Sequence, residues 1–496
     1  MADSTRVRFA PSPTGLLHIG GLRTALYNYL FTKHHGGAFI VRIEDTDQSR
    51  YVEEAEQDIL DSLKWAGLNW DEGPGTESAY GPYHQSKRSE LYKKYAEQLI
   101  ADGYAYYAFD TTEDIEQMRE RLKKSGNPSP KYDSITRQSM KNSLTLPQDE
   151  VKRRLEAGDE YVVRLKVPRK ETVRFTDIIR GVVSFDTQGL DDQVLLKSDG
   201  LPTYHLANVV DDHEMGITHV IRGEEWLSSA PKHMLLYQYL GWEAPEMAHL
   251  PLIMSPSGGK LSKRKAEQEG IPINVRDYIQ QDYEPEAVIN FLAYLGWGPG
   301  DDREVMTLDE MIKEFSLDRV SKAGAVFNFK KLTWYNEHYM REKSDDELLP
   351  RIKKVAEKEG YEASDDYLKT ILGLMRDRVS RLPEVIELGR YFFEAPAEYD
   401  EKSTKKSWKE QTPALVQKYL DEISRLGESD FKAATLKEKL SEVIEAEGVG
   451  FGKLMLPVRV SVTGMGFGPD LFETMELLGK EETESRIQKA LEVLGK

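Results

Sequence analysis

Two short strands with a glycine-opened helix between them fill the first 43 residues, and nothing else in the sequence restricts the fold as much. Arg6-Val7-Arg8-Phe9-Ala10 alternates and then meets Pro11-Ser12-Pro13-Thr14-Gly15, the pattern of a strand that ends in a turn. Apolar residues recur at helical spacing over 22–30, just after Gly20 and Gly21. Ala38-Phe39-Ile40-Val41-Arg42-Ile43 reads as a second, buried strand. Two strands joined by a helical crossover run parallel, so this βαβ unit predicts an α/β parallel sheet. Helices expected at about 52–65 and 90–100 continue the alternation. Open sheets of this kind bind ligands beyond the carboxyl ends of their strands, which points to the turn at 11–21.

The character changes after Gly103. Residues 110–160 are polar, with the breaker cluster Ser125-Gly126-Asn127-Pro128-Ser129-Pro130. Short β-like runs at Tyr161-Val162-Val163-Arg164-Leu165 and Val182-Val183-Ser184-Phe185 follow, and the whole stretch reads as an insertion between two halves of the sheet. The sheet signal is expected to resume at Gln193-Val194-Leu195-Leu196-Lys197 and again at His219-Val220-Ile221-Arg222. A glycine-rich basic loop spans 255–265. Beyond Pro285 helical periodicity runs to the end, with Ala395-Pro396-Ala397 as a candidate division. A chain of 496 residues exceeds what one core serves, so three to five domains are expected.

The sequence contains no cysteine, which removes disulfides, thiolate zinc sites and cysteine nucleophiles together. The net charge of −18 opposes a polyanionic partner in sum, yet fields are screened within about 8–10 Å, so a local basic stripe can still hold RNA. The first residues lack the apolar core of a signal peptide, and no run approaches the ~18 apolar residues of a membrane span. A cytoplasmic location without membrane attachment is the expectation.

Two motifs carry chemistry. Pro11-Ser12-Pro13-Thr14-Gly15-Leu16-Leu17-His18-Ile19-Gly20-Gly21 opens the first helix, whose unpaired N–H groups and positive dipole end suit phosphate. Gly20 and Gly21 let a nucleotide approach the backbone, and His18 can donate to phosphate oxygens. The second motif, Lys260-Leu261-Ser262-Lys263-Arg264, follows Ser257-Gly258-Gly259, and four of the six residues 260–265 are cationic. Alone, the first is more often a plain helix start and the second a solvated loop.

Together, about 240 residues apart on either side of a sheet, they resemble the two signatures of class I aminoacyl-tRNA synthetases, departing at Gly21, Leu261 and Arg264. Phe39-Ile40-Val41-Arg42-Ile43-Glu44-Asp45-Thr46-Asp47, Tyr204-His205-Leu206-Ala207-Asn208-Val209-Val210-Asp211-Asp212-His213, Arg222-Gly223-Glu224-Glu225-Trp226 and Leu295-Gly296-Trp297 resemble segments of bacterial-type glutamyl-tRNA synthetases, and the similarity runs from about Arg6 to the C-terminus. The resemblance implies a Rossmann-type parallel sheet over 1–100 and 193–254, split by an α+β acceptor-stem-binding insertion at 101–192. A stem-contact region with the lysine loop would follow at 255–327, then an all-α anticodon-binding region at 328–496. It implies activation of L-glutamate with ATP to glutamyl-adenylate and transfer to the 3′-terminal adenosine of tRNA(Glu), by a monomer. A glutaminyl relative would be expected to carry a β-barrel tail instead.

The chemistry suits these residues. The substrate carboxylate, with a pKa of ~4, is already ionised at pH 7, and diphosphate leaves as a stabilised anion, so neither a general base nor a protein nucleophile is required. Alignment and charge neutralisation remain. By resemblance, His18 and Lys263 stabilise the triphosphate with Lys260 assisting, Gly20 admits ATP, and Glu225 and Trp226 lie beside the adenosine. Mg2+ accompanies ATP, held by phosphate oxygens and water. Arg8 and Arg222 match positions that bind the glutamate side-chain carboxylate. Glu44, with Ser12 nearby, matches the receiver of the α-ammonium, and Tyr204 and Asn208 supply the remaining contacts, Asn208 towards the α-carboxylate. Thr46, Asp47, Arg376 and Arg378 are expected to contact tRNA. Many relatives hold zinc near the start of the insertion with cysteines; here that stretch reads Tyr104-Ala105-Tyr106-Tyr107-Ala108-Phe109-Asp110. No zinc is expected, and elemental analysis finding one stoichiometric zinc per chain would refute this.

Overall fold

The computed structural model describes residues 4–495 in two compact units, one running to Gln280 and including Val288–Phe329, the other formed by Gln281–Ala287 and the chain from Lys330 onward. In the first unit β1 (Arg6–Phe9), α1 (Ile19–His34) and β2 (Ala38–Val41) form the expected βαβ unit, with β1 and β2 parallel. Leu22, Ala25, Leu26 and Leu30 of α1 are all completely buried, so this helix is core rather than surface. Helices α2 (Ala55–Trp65) and α3 (Ser89–Ala101) follow, each burying one apolar face.

The next elements are β3 (Ala105–Ala108), β4 (Val162–Leu165), β5 (Thr172–Asp177), β6 (Gly181–Asp186), β7 (Val194–Leu196), α4 (Tyr204–Glu214), β8 (His219–Gly223), α5 (Ala230–Leu240) and β9 (Glu246–Leu250). The main sheet has the order β2-β1-β8-β9-β5-β6 and is parallel except for the β5–β6 hairpin. The chain leaves β1 toward β2 on one side, while β8 returns on the other. The carboxyl ends of β1 and β8 therefore flank a topological switch point, where such sheets bind ligands.

Two strand placements differ from the sequence reading. The run at 182–185, read as part of the insertion, lies in the hairpin that extends the main sheet, with Asp177 paired to Met247. The run at 193–197, read as the sheet resuming, forms β7 of a separate antiparallel sheet, β3-β4-β7. Leu195 and Leu196 pack there with Val163 and Leu165, while Asp177 anchors the hairpin beside β9. An apolar run declares that it is a strand; its partner is chosen by such tertiary contacts.

The corner behind 104–110 is held by polar side chains. Arg137 pairs with buried Asp192 at 3.0 Å, and Tyr106 donates to the same carboxylate at 2.6 Å. Tyr132 donates to Asp110 at 2.8 Å and accepts from Asn142 at 3.1 Å. These contacts pair the buried carboxylates and hydroxyls of the cluster, as burial requires, and leave only Arg137 Nε of its named groups without a partner among the described residues.

The described residues of the second unit contain helices and no strand. Ser344 and Glu347 form a capping box on the helix Asp345–Lys358, a local signal that fixes its start. One apolar cluster draws on residues 340–392, another on 415–487.

Candidate active site

The turn after β1, the start of α1 and the ends of β8 and α4 enclose a cleft of about 320 Å³. Arg8, Ser12, His18, Gly20, Glu44, Tyr204, Asn208, Arg222, Glu225, Trp226 and Lys263 all line it, although they are scattered from position 8 to position 263. A second hollow of about 250 Å³ shares His18, Gly20, Glu225 and Lys263 and adds Lys260. The two hollows are therefore one continuous site with two ends.

At one end His18 is the N-cap of α1, and its Nδ1 accepts the Gly21 N–H at 3.1 Å. An accepting Nδ1 places the proton of the neutral ring on Nε2, which is left to donate into the cleft. The ring sits in the concave mouth of the site, exposed at its edge yet enclosed around it. That enclosure lowers its pKa; Glu225 pulls the other way, and Lys260 and Lys263 add to the lowering. A Cβ on Gly20 would stand 3.0 Å from His18 Nδ1, so glycine there protects the ring's placement as well as the backbone's openness.

The basic loop turns through Gly258 (φ +92°) and Gly259 (φ +73°), conformations that favour glycine. Glu269 ties its base down by accepting from both Ser255 and Ser257. Lys260 lies 3.9 Å from Glu225, and Lys263 opens the short helix α6 (Lys263–Gln268) facing the cleft. Trp226 leans on Tyr204 with ring centroids 4.4 Å apart and keeps an exposed face.

The other end is a buried charge cluster. Arg8 grips Asp212 through Nε (2.9 Å) and Nη2 (3.2 Å), and Arg42, completely buried, reaches Asp212 at 2.7 Å and Glu44 at 3.1 Å. Arg88 pairs with Asp211 at 2.7 Å. Three cations thus meet three carboxylates, and the set is neutral. Burial raises the Glu44 pKa against the pull of Arg42 and Arg8, so an arriving ammonium would favour its ionised form. Asp212 is buried too, but Arg8 and Arg42 hold its pKa below the usual range. The Asn208 amide oxygen, turned to Arg8 and Arg42, accepts from both at 3.3 Å while its nitrogen donates to Asp212.

Arg222 stands outside this set. It is 5% exposed, and its partners are neutral: Tyr204 Oη at 2.9 Å, His249 Nε2 at 3.1 Å and His233 Nδ1 at 3.3 Å. Among the described residues no carboxylate pairs with it directly. Its Nη2 only reaches the Trp226 carbonyl, at 3.5 Å, and a cleft-lining buried guanidinium with neutral partners alone suits a carboxylate ligand.

The family described as "tRNA synthetases class I (E and Q), catalytic domain" matches residues 4–334, and "Anticodon binding domain" matches 344–491. The glutamate–tRNA ligase of Cytophaga hutchinsonii is 50% identical over 98% of this chain and 97% of its own length; that of Christiangramia forsetii is 47% identical over the full length of both. The chain belongs to the glutamate–tRNA ligase family. The crystal structure of a glutamate tRNA ligase from Elizabethkingia meningosepticum, in complex with its amino acid, superposes on this ligase with a TM-score of 0.92 at 48% identity, covering 99% of this chain and 100% of that one. The helical tail of the ligase also separates it from the barrel-tailed relative considered above.

Four expected contacts are not among the residues that line the cleft. The Thr46 carbonyl accepts from Lys197 at 3.2 Å, and Asp47 pairs with Arg50 at 2.6 Å. In the tail Arg376 is tied to Asp345, and Arg381, its neighbour, to Glu384 at 2.9 Å. Arg378 is exposed and has no carboxylate partner among the described residues. The sequence reading missed Arg42, Asp212, His233 and His249 as members of the site. Arg42 and Asp212 stood inside quoted segments but look like ordinary strand-end and helix charges. A lone histidine in an apolar run gives no signal at all.

The ligase also buries histidines that must stay neutral. His233 Nδ1 accepts from Arg222, so its Nε2–H donates to His205 Nδ1 at 3.2 Å. Burial and Lys232 bring the His205 pKa down to about 4, and burial and Arg222 put His233 well below its ordinary value. The unfolded chain therefore binds more protons between pH ~6.5 and ~4, and stability is lost as the pH is lowered through that window. Each such histidine contributes on the order of 1 kcal/mol per pH unit there. Calorimetry from pH 7.5 to 5 should show the catalytic unit's midpoint falling, and His205→Gln should flatten the slope. An unchanged slope in that variant would contradict the assignment.

Proposed function

We propose that this ligase joins L-glutamate to tRNA(Glu) in two steps within the cleft. In the first, an oxygen of the α-carboxylate attacks the α-phosphorus of ATP, and the bond to the leaving diphosphate breaks. In the second, the 3′-terminal adenosine hydroxyl attacks the activated carbonyl and AMP leaves. Neither step needs a protein nucleophile, in keeping with a site that offers donors and cations rather than thiols. Any magnesium accompanying ATP would be held mainly by the nucleotide and water and would offset phosphate charge.

The single observation that carries the amino-acid assignment is Arg222, a buried cation whose neighbours are all neutral acceptors. It receives the side-chain carboxylate, with Arg8 beside it. A neutral amide would leave that charge unmatched. Glu44 receives the α-ammonium with Ser12 near, Asn208 the α-carboxylate, and Tyr204 closes the pocket. His18 Nε2–H and Lys263 hold the triphosphate, Lys260 assists, Gly20 admits the nucleotide, and Trp226 with Glu225 flanks adenosine. The enzyme acts as a cytoplasmic monomer; no helix among the described residues is long and apolar enough to cross a membrane.

The test is aminoacylation of purified tRNA(Glu) and tRNA(Gln) with glutamate and with glutamine, alongside pyrophosphate exchange with and without RNA. Transfer of glutamine at a rate equal to glutamate would defeat the reading. For the RNA, the insertion holds the acceptor end near Thr46 and Asp47, and the helical tail reads the anticodon. Arg378 is the tail arginine best placed to stack on or hydrogen-bond an unpaired base, because Arg376 and Arg381 are committed to carboxylates. Arg378→Ala should raise the KM for tRNA(Glu) about tenfold or more, the loss of one charged hydrogen bond, and Arg376→Ala should raise it less. Equal effects in filter-binding and kinetics would remove the distinction.

A further inference from the structure

Arg222 is aimed by a carboxylate it never touches. His249 lies directly across from it in the sheet, with Arg222 on β8 registered to His249 on β9. The Arg222 Nε–H donates to His249 Nε2 at 3.1 Å, so that nitrogen is the acceptor and the ring proton sits on Nδ1. Nδ1–H in turn donates to Asp177 Oδ2 at 2.6 Å. Asp177 is completely buried at the end of β5, in the hairpin that the sequence reading had assigned to the insertion. Its other oxygen accepts the backbone N–H groups of Ile179 at 3.0 Å and Arg180 at 2.8 Å, and the His249 N–H reaches Oδ2 at 3.1 Å.

We propose that Asp177 and His249 are positioning residues, which hold the Arg222 guanidinium open for the substrate's side-chain carboxylate and so strengthen the preference for glutamate over glutamine. The inference rests on the assignment of Arg222 as that anchor. The neutral ring between the two charges is what gives the arrangement its purpose. A carboxylate bonded directly to Arg222 would fill the fork and cancel the charge a substrate must meet. Asp212 does this to two nitrogens of Arg8. Set one imidazole back, Asp177 attracts the guanidinium less and fixes the tautomer that accepts from it. Asp177→Asn reverses that logic: with its oxygen kept on the Ile179 and Arg180 N–H groups, its amide N–H faces Nδ1 and the ring proton moves to Nε2, donor against donor at Arg222.

Two substitutions at position 249 separate positioning from mere packing. His249→Gln puts an amide oxygen where Nε2 stood, able to accept from Arg222 but remote from Asp177. His249→Asn keeps an N–H where Nδ1 stood, bonded to Asp177, and loses the acceptor for Arg222. In aminoacylation of tRNA(Glu), His249→Asn and Asp177→Asn should each raise the KM for glutamate about tenfold or more, with the KM for ATP within about twofold. The glutamate-to-glutamine ratio of kcat/KM should fall by a similar factor, and His249→Gln should restore both values to within about threefold of the parent. If His249→Asn matches the parent while His249→Gln is impaired, or if both raise the two KM values together, the pair only anchors the hairpin and the proposal fails. Arg222→Gln is measured in parallel. A normal KM for glutamate there defeats the anchor and this proposal together, whereas a raised one beside a normal His249→Asn defeats this proposal alone. Should Asp177→Asn fail to fold, the two position-249 variants decide.

Discussion

In an Arg222→Gln variant, kcat/KM for glutamate falls by about 10²- to 10⁴-fold while the protein folds normally. The magnitude follows from removing one partner of a desolvated ion pair, which costs about 3–5 kcal/mol. The fold is spared because Arg222 is not needed to neutralise a buried carboxylate of the protein itself; it contacts Tyr204, His249 and His233, all neutral. Arg8 makes the instructive contrast. Both arginines end on sheet strands and line the same cleft, but Arg8→Gln would strip Asp212 of a bidentate partner inside the core. That variant should lose thermal stability as well as activity, with a midpoint several degrees below the parent. Steady-state aminoacylation and calorimetry on the two variants side by side check this. An Arg222→Gln enzyme with unchanged glutamate kinetics would remove the pocket assignment, whatever happens at Arg8.

That contrast marks the boundary of what the sequence discloses. The βαβ start, the helix opening at His18, the glycine-hinged lysine loop and the helical tail each announce themselves through local pattern, because turns, caps and periodicity are written within a few residues of the structure they specify. Partner choice is not local. Asp212 lies 204 residues from Arg8 and 170 from Arg42, so nothing near any of them reveals that Arg8 is paired with a carboxylate of the protein and Arg222 is not. The same holds for strand partners: the runs at 193–197 and 182–185 are both recognisable as β, and tertiary contacts send each to the other's expected sheet, while Thr172–Asp177 gives no such signal. In the tail, three arginines within six positions (376–381) look alike, and only Asp345 and Glu384 distinguish Arg376 and Arg381 from Arg378.

At the triphosphate end the expected result is a loss in kcat rather than in glutamate binding. His18→Ala removes a neutral Nε2–H donor, fixed in place by the bond its Nδ1 accepts from Gly21. Lys263→Ala removes a cation carried on a loop whose turn depends on Gly258 and Gly259. On the proposed assignment, each group is directed at charge that spreads over the phosphates as the bond to diphosphate breaks. Each loss should therefore lower kcat about 10²- to 10³-fold, the range for removing one donor aimed at a developing anion. The KM for glutamate should stay within about threefold, because Arg222 and Glu44 sit at the opposite end of the cleft and remain intact. If both groups serve the same transition state, the double variant falls short of the product of the two single losses, since the second substitution removes stabilisation already weakened by the first. Single-turnover measurement of adenylate formation reads this directly. Fully multiplicative losses would make the two groups independent contributors to adenylate formation, and a double variant forming adenylate at the parental rate would take the chemistry away from this end of the cleft altogether.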